Sequence, residues 1–202
     1  MPEQVAQTIK LPDPRLDSDM SIEEALLQRR STRRYQGTPL TRAEVSQLLW
    51  AAQGMTDPRG FRTAPSAGAL YPLEVYLVAG NVDGIPAGIY RYISQRHEIA
   101  NILQGDKRAG LKDAALGQEQ IKQAGAVLVI SAFPERTTKK YRDRGIRYVH
   151  MEAGHAAQNV YLQATALGLG TVVIGAFHDD AVRKVMNMPD REQPLYIMPI
   201  GR

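Results

Sequence analysis

The sequence predicts an α+β fold in one domain, and three observations carry this. Its 202 residues suit one domain with a sizeable core. Apolar residues recur at helical spacing in some stretches and as short strand-like runs in others. The two kinds of stretch mix along the chain without strict alternation, which favours α+β over a doubly wound α/β sheet.

Residues 1–20 read as an extended arm, because Pro2, Pro12, Asp13 and Pro14 interrupt regular elements. The main domain is then 21–202. A helix opens at Ser21, where Ser21 and Glu24 match a capping box ahead of Ile22, Ala25 and Leu26. Thr41 and Glu44 repeat the pattern before Val45, Leu48, Leu49 and Ala52, and Gln53-Gly54 ends that helix. Thr56 to Leu70 is rich in Gly, Pro, Ser and Arg and reads as a loop. Strands follow at Leu73 to Ala79 and Gly88 to Ile93, and helical pieces fill Lys107 to Gln123. The continuous apolar run Ala126 to Ala132 predicts a strand buried on both faces. A long helix covers about Ile146 to Leu167, placing Lys140 and Tyr141 before it, and Gly168 and Gly170 stop it. Thr171 to Gly175 reads as a strand, Asp179 or Asp180 opens a helix to Met186, and Leu195 to Ile200 is a last strand.

Composition sets the outer bounds on function. Hydrophobic residues make up 44% and charged residues 23%, ordinary for a folded domain. With no cysteine, disulfide, thiolate and cysteine–metal chemistry are excluded. No apolar run is long enough to cross a membrane and the first residues lack an apolar signal core, so a cytoplasmic location is the expectation. The net charge of +4 favours an anionic small-molecule ligand. The sequence carries no zinc-finger, RNA-recognition or basic-zipper pattern, and no nucleic-acid partner is expected.

Five constellations can carry chemistry. Arg29-Arg30-Ser31-Thr32-Arg33-Arg34 gathers guanidinium forks and hydroxyls that suit phosphate oxygens, though it equally suits a solvated basic helix end. In Thr63 to Tyr76, the small residues Ala64, Ser66, Ala67, Gly68 and Ala69 let backbone approach a flat ligand, with Pro65 and Pro72 stiffening the segment. The third stretch, Lys139 to Ala164, holds Lys140 and Tyr141 ahead of a helix with His150, Glu152, His155, Gln158 and Asn159. Its histidines lack the order of a zinc site, and no metal is expected. Gly168 to Phe177 offers backbone N–H groups at Gly175 and Ala176, and Arg202 ends the chain just after a strand.

Taken in order, a basic RRSTRRY helix end, a PSAGALYP loop into a strand, a RYVHMEAGHAAQN helix and a GLGTVVIGAF turn resemble the nitroreductase superfamily. Within it the chain is most similar to the SagB-type dehydrogenase branch, which includes azoline oxidases. The resemblance covers about residues 21 to 202 and implies a central mixed sheet flanked by helices. It also implies a homodimer with an extensive interface and FMN sites at that interface. By the same resemblance, Arg29, Arg30, Ser31 and Arg33 match phosphate and ribityl contacts. Pro65, Ser66, Ala67 and Gly68, with Leu70 at the margin, match a loop that the partner protomer lays against the flavin. Ile174, Gly175 and Ala176 match the segment beside the flavin ring, and Arg202 a further phosphate contact. Lys140 and Tyr141 match a catalytic pair near the substrate of azoline-oxidising relatives. The implied activity is hydride transfer through FMN with NADH or NADPH as donor. The alternative is oxidation of an azoline-like substrate with oxygen as acceptor.

Overall fold

The computed structural model describes residues 7–202. Pro2, like the rest of residues 1–6, lies outside the described residues. The remainder of the expected arm is extended, yet it belongs to the sheet. Thr8–Lys10 forms strand β1, whose Thr8, Ile9 and Lys10 pair with Ala100, Ile99 and Glu98. Beyond it, Leu11 is buried, Ser46 Oγ donates to Pro12 O, and Arg15 N donates to Gln47 Oε1 at 2.8 Å. The prolines thus sit where the chain turns from sheet pairing to side-chain tethers.

Helix α1 spans Ile22–Gln28, and the Ser21 side chain accepts from Glu24 N. Glu24 bonds Gln28 instead of returning to residue 21, so this cap is half of the expected box. Helix α2, Arg42–Gln53, has the complete box between Thr41 and Glu44. Strands β2 (Leu73–Ala79), β3 (Gly88–Ile93) and β5 (Ala126–Ala132) lie where their apolar patterns placed them. Strand β4, Glu98–Gln104, has no such signal, because only Ile99 and Ala100 of its seven residues are buried. Helices α3 (Arg108–Ala114) and α4 (Gln120–Gln123) are followed by α5, Glu135–Tyr141. Only Thr137 of α5 is buried, so it has no apolar stripe to read; Pro134 O starts it by accepting from Thr137 N and Thr138 N. Lys140 and Tyr141 therefore close a helix of their own. Helix α6 runs Arg144–Ala166 and α7 runs Asp179–Met186.

Strand β6 is only Gly170–Thr171, shorter than the Thr171 to Gly175 expected, and β7 is Gln193–Gly201. The reason is local: Val173 N donates to the Tyr161 hydroxyl at 2.8 Å instead of to the ladder. The chain regains the sheet at Ile174, which exchanges hydrogen bonds with Ile197.

Among the described residues, the seven strands order as β1-β4-β3-β2-β5-β7-β6. Neighbouring strands pair antiparallel, and parallel pairing enters at isolated bridges such as Ser31 to Thr171. Alternation along β5 splits the core. Leu128 and Ile130 join the cluster that includes α2 and α6 residues, whereas Val127 and Val129 join one that includes α3 and α7 residues. Each fully buried Leu or Ile contributes roughly 1.5–3 kcal/mol. A sheet covered on both faces gives a stiff platform, and its loops and helix ends carry the site.

Candidate functional site

The first cluster forms where α1 ends. Arg29 is its C-cap, and the chain leaves the helix to run beside β6. Ser31 bridges Thr171, and Thr32 N donates to Thr171 O at 2.8 Å. A Cβ on Gly170 would lie 2.6 Å from Thr32 Cγ2, so a glycine is required for this approach. Tyr161 of α6 ties the parts together. Its hydroxyl accepts from Val173 N and shares a 3.0 Å hydrogen bond with Ser31 Oγ. The Arg29 guanidinium stands 5.1 Å above the Tyr161 ring, and Arg30 Nη1 donates to the Leu27 and Arg29 carbonyls at 2.9 Å each. Arg33 and Arg34 are exposed. Ile174 is buried against β7, while Gly175 and Ala176 are exposed immediately after it.

The structure therefore brings Arg29, Ser31 and the approach to Ile174-Gly175-Ala176 onto one surface. Three guanidiniums and two hydroxyls within five residues, Arg29 to Arg33, suit a phosphate dianion, and the exposed backbone at Gly175 suits a flat ring. The donor set fits the phosphate and ring of FMN. Arg202 stands apart. Its guanidinium is ion-paired with Glu44 and donates to Pro39 O at 2.8 Å, while Glu44 Oε2 caps α2 through Thr41 N.

The second cluster gathers around the loop before β2. Gly68, Ala69 and Tyr71 all have positive φ, at 64°, 53° and 44°. Two non-glycine positions, Ala69 and Tyr71, in the left-handed region within three residues mark a strained loop of the kind found at functional sites. Tyr71 N donates to Ser66 Oγ at 2.9 Å, which pins the turn across Ala67 and Leu70. A Cβ on Gly68 would lie 2.9 Å from Tyr141 Oη and 3.0 Å from Lys140 Nζ. Gly68 of the loop and the Lys140–Tyr141 pair, named from separate motifs, thus meet. Lys140 Nζ lies 5.4 Å from the Tyr141 ring centre, and Tyr148 of α6 packs edge-on against that ring.

Beneath this loop lies a residue the sequence reading weighed only as a weak metal ligand. Glu152 is 3% exposed and its Oε1 has no hydrogen-bond partner. Burial pushes its carboxyl up to about 7, against the pull of a Ser66 hydrogen bond and the Arg62 charge. His150 and His155 are exposed whereas Glu152 is buried, so the three do not converge. Tyr161 and Arg62 were missed altogether. Tyr161 is one tyrosine in a helix and Arg62 one arginine in a polar loop, and neither has a spacing that marks it.

Glu152 and Tyr161 lie nine residues apart on α6. That separation is about two and a half turns and roughly 14 Å of rise, so the two clusters occupy opposite faces of the helix.

This fold and arrangement define a known class, and the chain belongs to the nitroreductase family, whose profile matches residues 26–202. It is 52% identical over 194 residues to MJ1384 of Methanocaldococcus jannaschii, a nitroreductase by name only, with 96% of each chain covered. It is 31% identical to the microcin B17-processing protein McbC of Escherichia coli, matching over 78% of this chain but 60% of McbC. A crystal structure from Anabaena variabilis, again a nitroreductase by name only, superposes with a TM-score of 0.85 at 32% identity. It covers 98% of this chain and 42% of that one.

Proposed function

We propose that the protein is an FMN-dependent oxidoreductase and that each flavin site is completed by two protomers of a homodimer. The observation that carries this is the Tyr161 hydroxyl, which holds Ser31 and Val173 together and so sets the arginine segment beside the Ile174–Ala176 turn. Arg29, Arg33 and Ser31 would hold the phosphate, with Arg30 beside them. Gly175 and Ala176 would flank the ring. Bound FMN would supply hydride acceptance and donation, with NADH or NADPH as electron donor for a small-molecule acceptor. The protein's own contribution is positional: exposed guanidiniums for the anion, and a stiff loop with small residues for the ring. Pro65 to Gly68 would come from the partner, which agrees with their place on the opposite face of α6 from Tyr161. Arg202 serves as the clamp on Glu44 in this reading, and contacts the phosphate only if it leaves that partner.

A second reading has one observation in its favour. Lys140 and Tyr141 touch the Gly68 position, where a substrate over the flavin would meet them. Together with the likeness to McbC, this supports oxidation of an azoline-like substrate with oxygen as acceptor. Lys140 and Tyr141 would then hold and move the substrate proton.

Anaerobic rapid mixing of the purified protein with NADH or NADPH tests both readings. The protein should carry a flavin spectrum. Fast bleaching supports the reductase; a flavin that resists both nicotinamides supports the dehydrogenase; protein with no affinity for FMN refutes the proposal.

A further inference from the structure

Unpaired positive charge also gathers outside the arginine segment, where α5 turns into α6. Lys139 and Lys140 lie in the last turn of α5, and Arg142, Asp143 and Arg144 make the corner. All five are exposed, so four cations face one carboxylate within six residues. Several exposed arginines elsewhere pair with a carboxylate two residues away: Arg15 with Asp17, Arg59 with Asp57 and Arg96 with Glu98. Asp143 stands between Arg142 and Arg144 and pairs with neither. Among the described residues, none of the four cations has an ion-pair partner.

The fold draws these charges together. A Cβ on Gly145 would lie 2.9 Å from Thr138 Cα, so α5 and α6 meet at backbone distance at the base of the corner. Arg142 N donates to Thr138 O at 2.7 Å and Gly145 N donates to Arg142 O at 2.9 Å, which closes residues 139–144 into a compact knob. Arg142 turns the corner at φ 50° and ψ −140°, a conformation that suits glycine. An arginine kept in such a strained position has a use for its side chain. The knob is anchored beside the flavin loop: Tyr141 packs edge-on against Tyr148, and Lys140 Nζ and Tyr141 Oη reach the Gly68 position.

We infer that this knob holds the phosphates of the electron donor, and that the donor is NADPH in preference to NADH. The inference rests on the reductase reading of the flavin site and deepens it. The two nucleotides carry the same hydride-bearing ring and differ by one phosphate on the adenosine ribose. Guanidinium forks at Arg142 and Arg144 suit phosphate oxygens, and Lys139 adds a point charge. Charges about 10 Å apart still act on one another at physiological salt, so the added dianion gains from the whole knob.

Anaerobic reduction of the FMN-loaded protein by NADPH and by NADH measures the preference. Calorimetric titration of the same protein with adenosine 2′,5′-bisphosphate and with adenosine 5′-monophosphate measures the phosphate site without the hydride. At low ionic strength NADPH should exceed NADH in kcat/KM, and the bisphosphate should bind more tightly than the monophosphate, each by about tenfold or more. Both ratios should fall as salt is raised. Arg142→Gln combined with Arg144→Gln should bring both ratios toward one, with undiminished flavin content showing that the variant is folded. Equal kcat/KM for the two nicotinamides, or a preference that the double variant retains, would overturn the inference and leave the flavin reading intact. If neither nicotinamide bleaches the flavin, the reductase reading falls and NADPH falls with it. The bisphosphate ratio then decides the knob alone: a preference lost in the double variant keeps it as a nucleotide-phosphate site, and parity in the unmodified protein strikes it.

Discussion

The two clusters of this protein are built by different physics. The arginine segment is fixed by backbone: Thr32 and Ser31 pair with Thr171, and the Tyr161 hydroxyl seals the join. Of its charged side chains, Arg33 and Arg34 are left exposed, while Arg29 lies over the Tyr161 ring and Arg30 bonds backbone carbonyls. The loop from Thr63 to Tyr71 is fixed in the opposite manner. Its backbone is strained at Gly68, Ala69 and Tyr71, and side chains hold it: Ser66 on Tyr71, Arg62 on the Tyr71 ring, and Glu152 beneath. An anion site needs free charge on a rigid base, whereas a loop that shapes a ring pocket needs an unusual backbone locked from behind.

This contrast can be broken from either side. The largest effect is expected from Arg29→Ala combined with Arg33→Ala. Each guanidinium–phosphate contact contributes about 1.5–3 kcal/mol, so FMN affinity should fall by about a hundredfold or more with the fold intact. Full flavin content in the purified double variant would remove the phosphate assignment.

Gly68→Ala should act on the other side of the comparison. Its Cβ would press on Tyr141 Oη and Lys140 Nζ, both movable side-chain ends, at a φ of +64° that costs an alanine about 1–2 kcal/mol. Turnover should drop on the order of tenfold through displacement of that pair, with flavin content little changed. A variant with normal turnover would show that contact between loop and pair is incidental.

Glu152 gives the loop a pH signature that the arginine segment lacks. Its carboxyl rises from 4.5 in the unfolded chain to about 7 in the fold. The folded state therefore binds more protons than the unfolded state between these values, and stability falls as pH rises through that window. Its contribution is fully present below about pH 4.5 and gone above about pH 7. Glu192, raised by burial between Ser131 and Tyr76, acts in the same direction. Denaturant melts at pH 5 and pH 8 should show Glu152→Gln stabilising the protein at pH 8 by on the order of 1–3 kcal/mol and flattening part of the slope. An unchanged slope would place the titrating carboxyl elsewhere.

The smallest effect belongs to Tyr161→Phe, which leaves Val173 N–H without its acceptor. A loss of about 1–2 kcal/mol in unfolding free energy is expected, with FMN affinity lowered a few-fold. Stability at the wild-type value would mean that water or a shifted backbone replaces the hydroxyl.

How much of this was legible in the sequence depends on what signals each element. Strands β2, β3 and β5 are readable because buried β-branched and aromatic runs have one meaning in a chain of this length. Strand β4 and helix α5 are not, because tertiary pairing and Pro134 hold them while few of their side chains enter the core. The arginine segment was visible as charge, and the phosphate role proposed for it came from the order of motifs along the chain. That Gly68 lies on Lys140 and Tyr141 was not readable, because the contact joins motifs more than seventy residues apart. Arg62 and Glu152 stayed hidden for the same reason: their meaning is burial and contact with the loop, which only packing reveals.

The central claim is that the two clusters complete one flavin site across a dimer. Mixed dimers test it directly, with one protomer carrying Arg29→Ala and Arg33→Ala and the other Gly68→Val. If each site takes its arginines from one protomer and its loop from the other, one site of the mixed dimer collects both defects and the other is intact. The purified mixed dimer should then recover about half of wild-type turnover, although each parent variant alone is impaired. Recovery no better than the two parents would place both clusters of a site in one protomer and contradict the account.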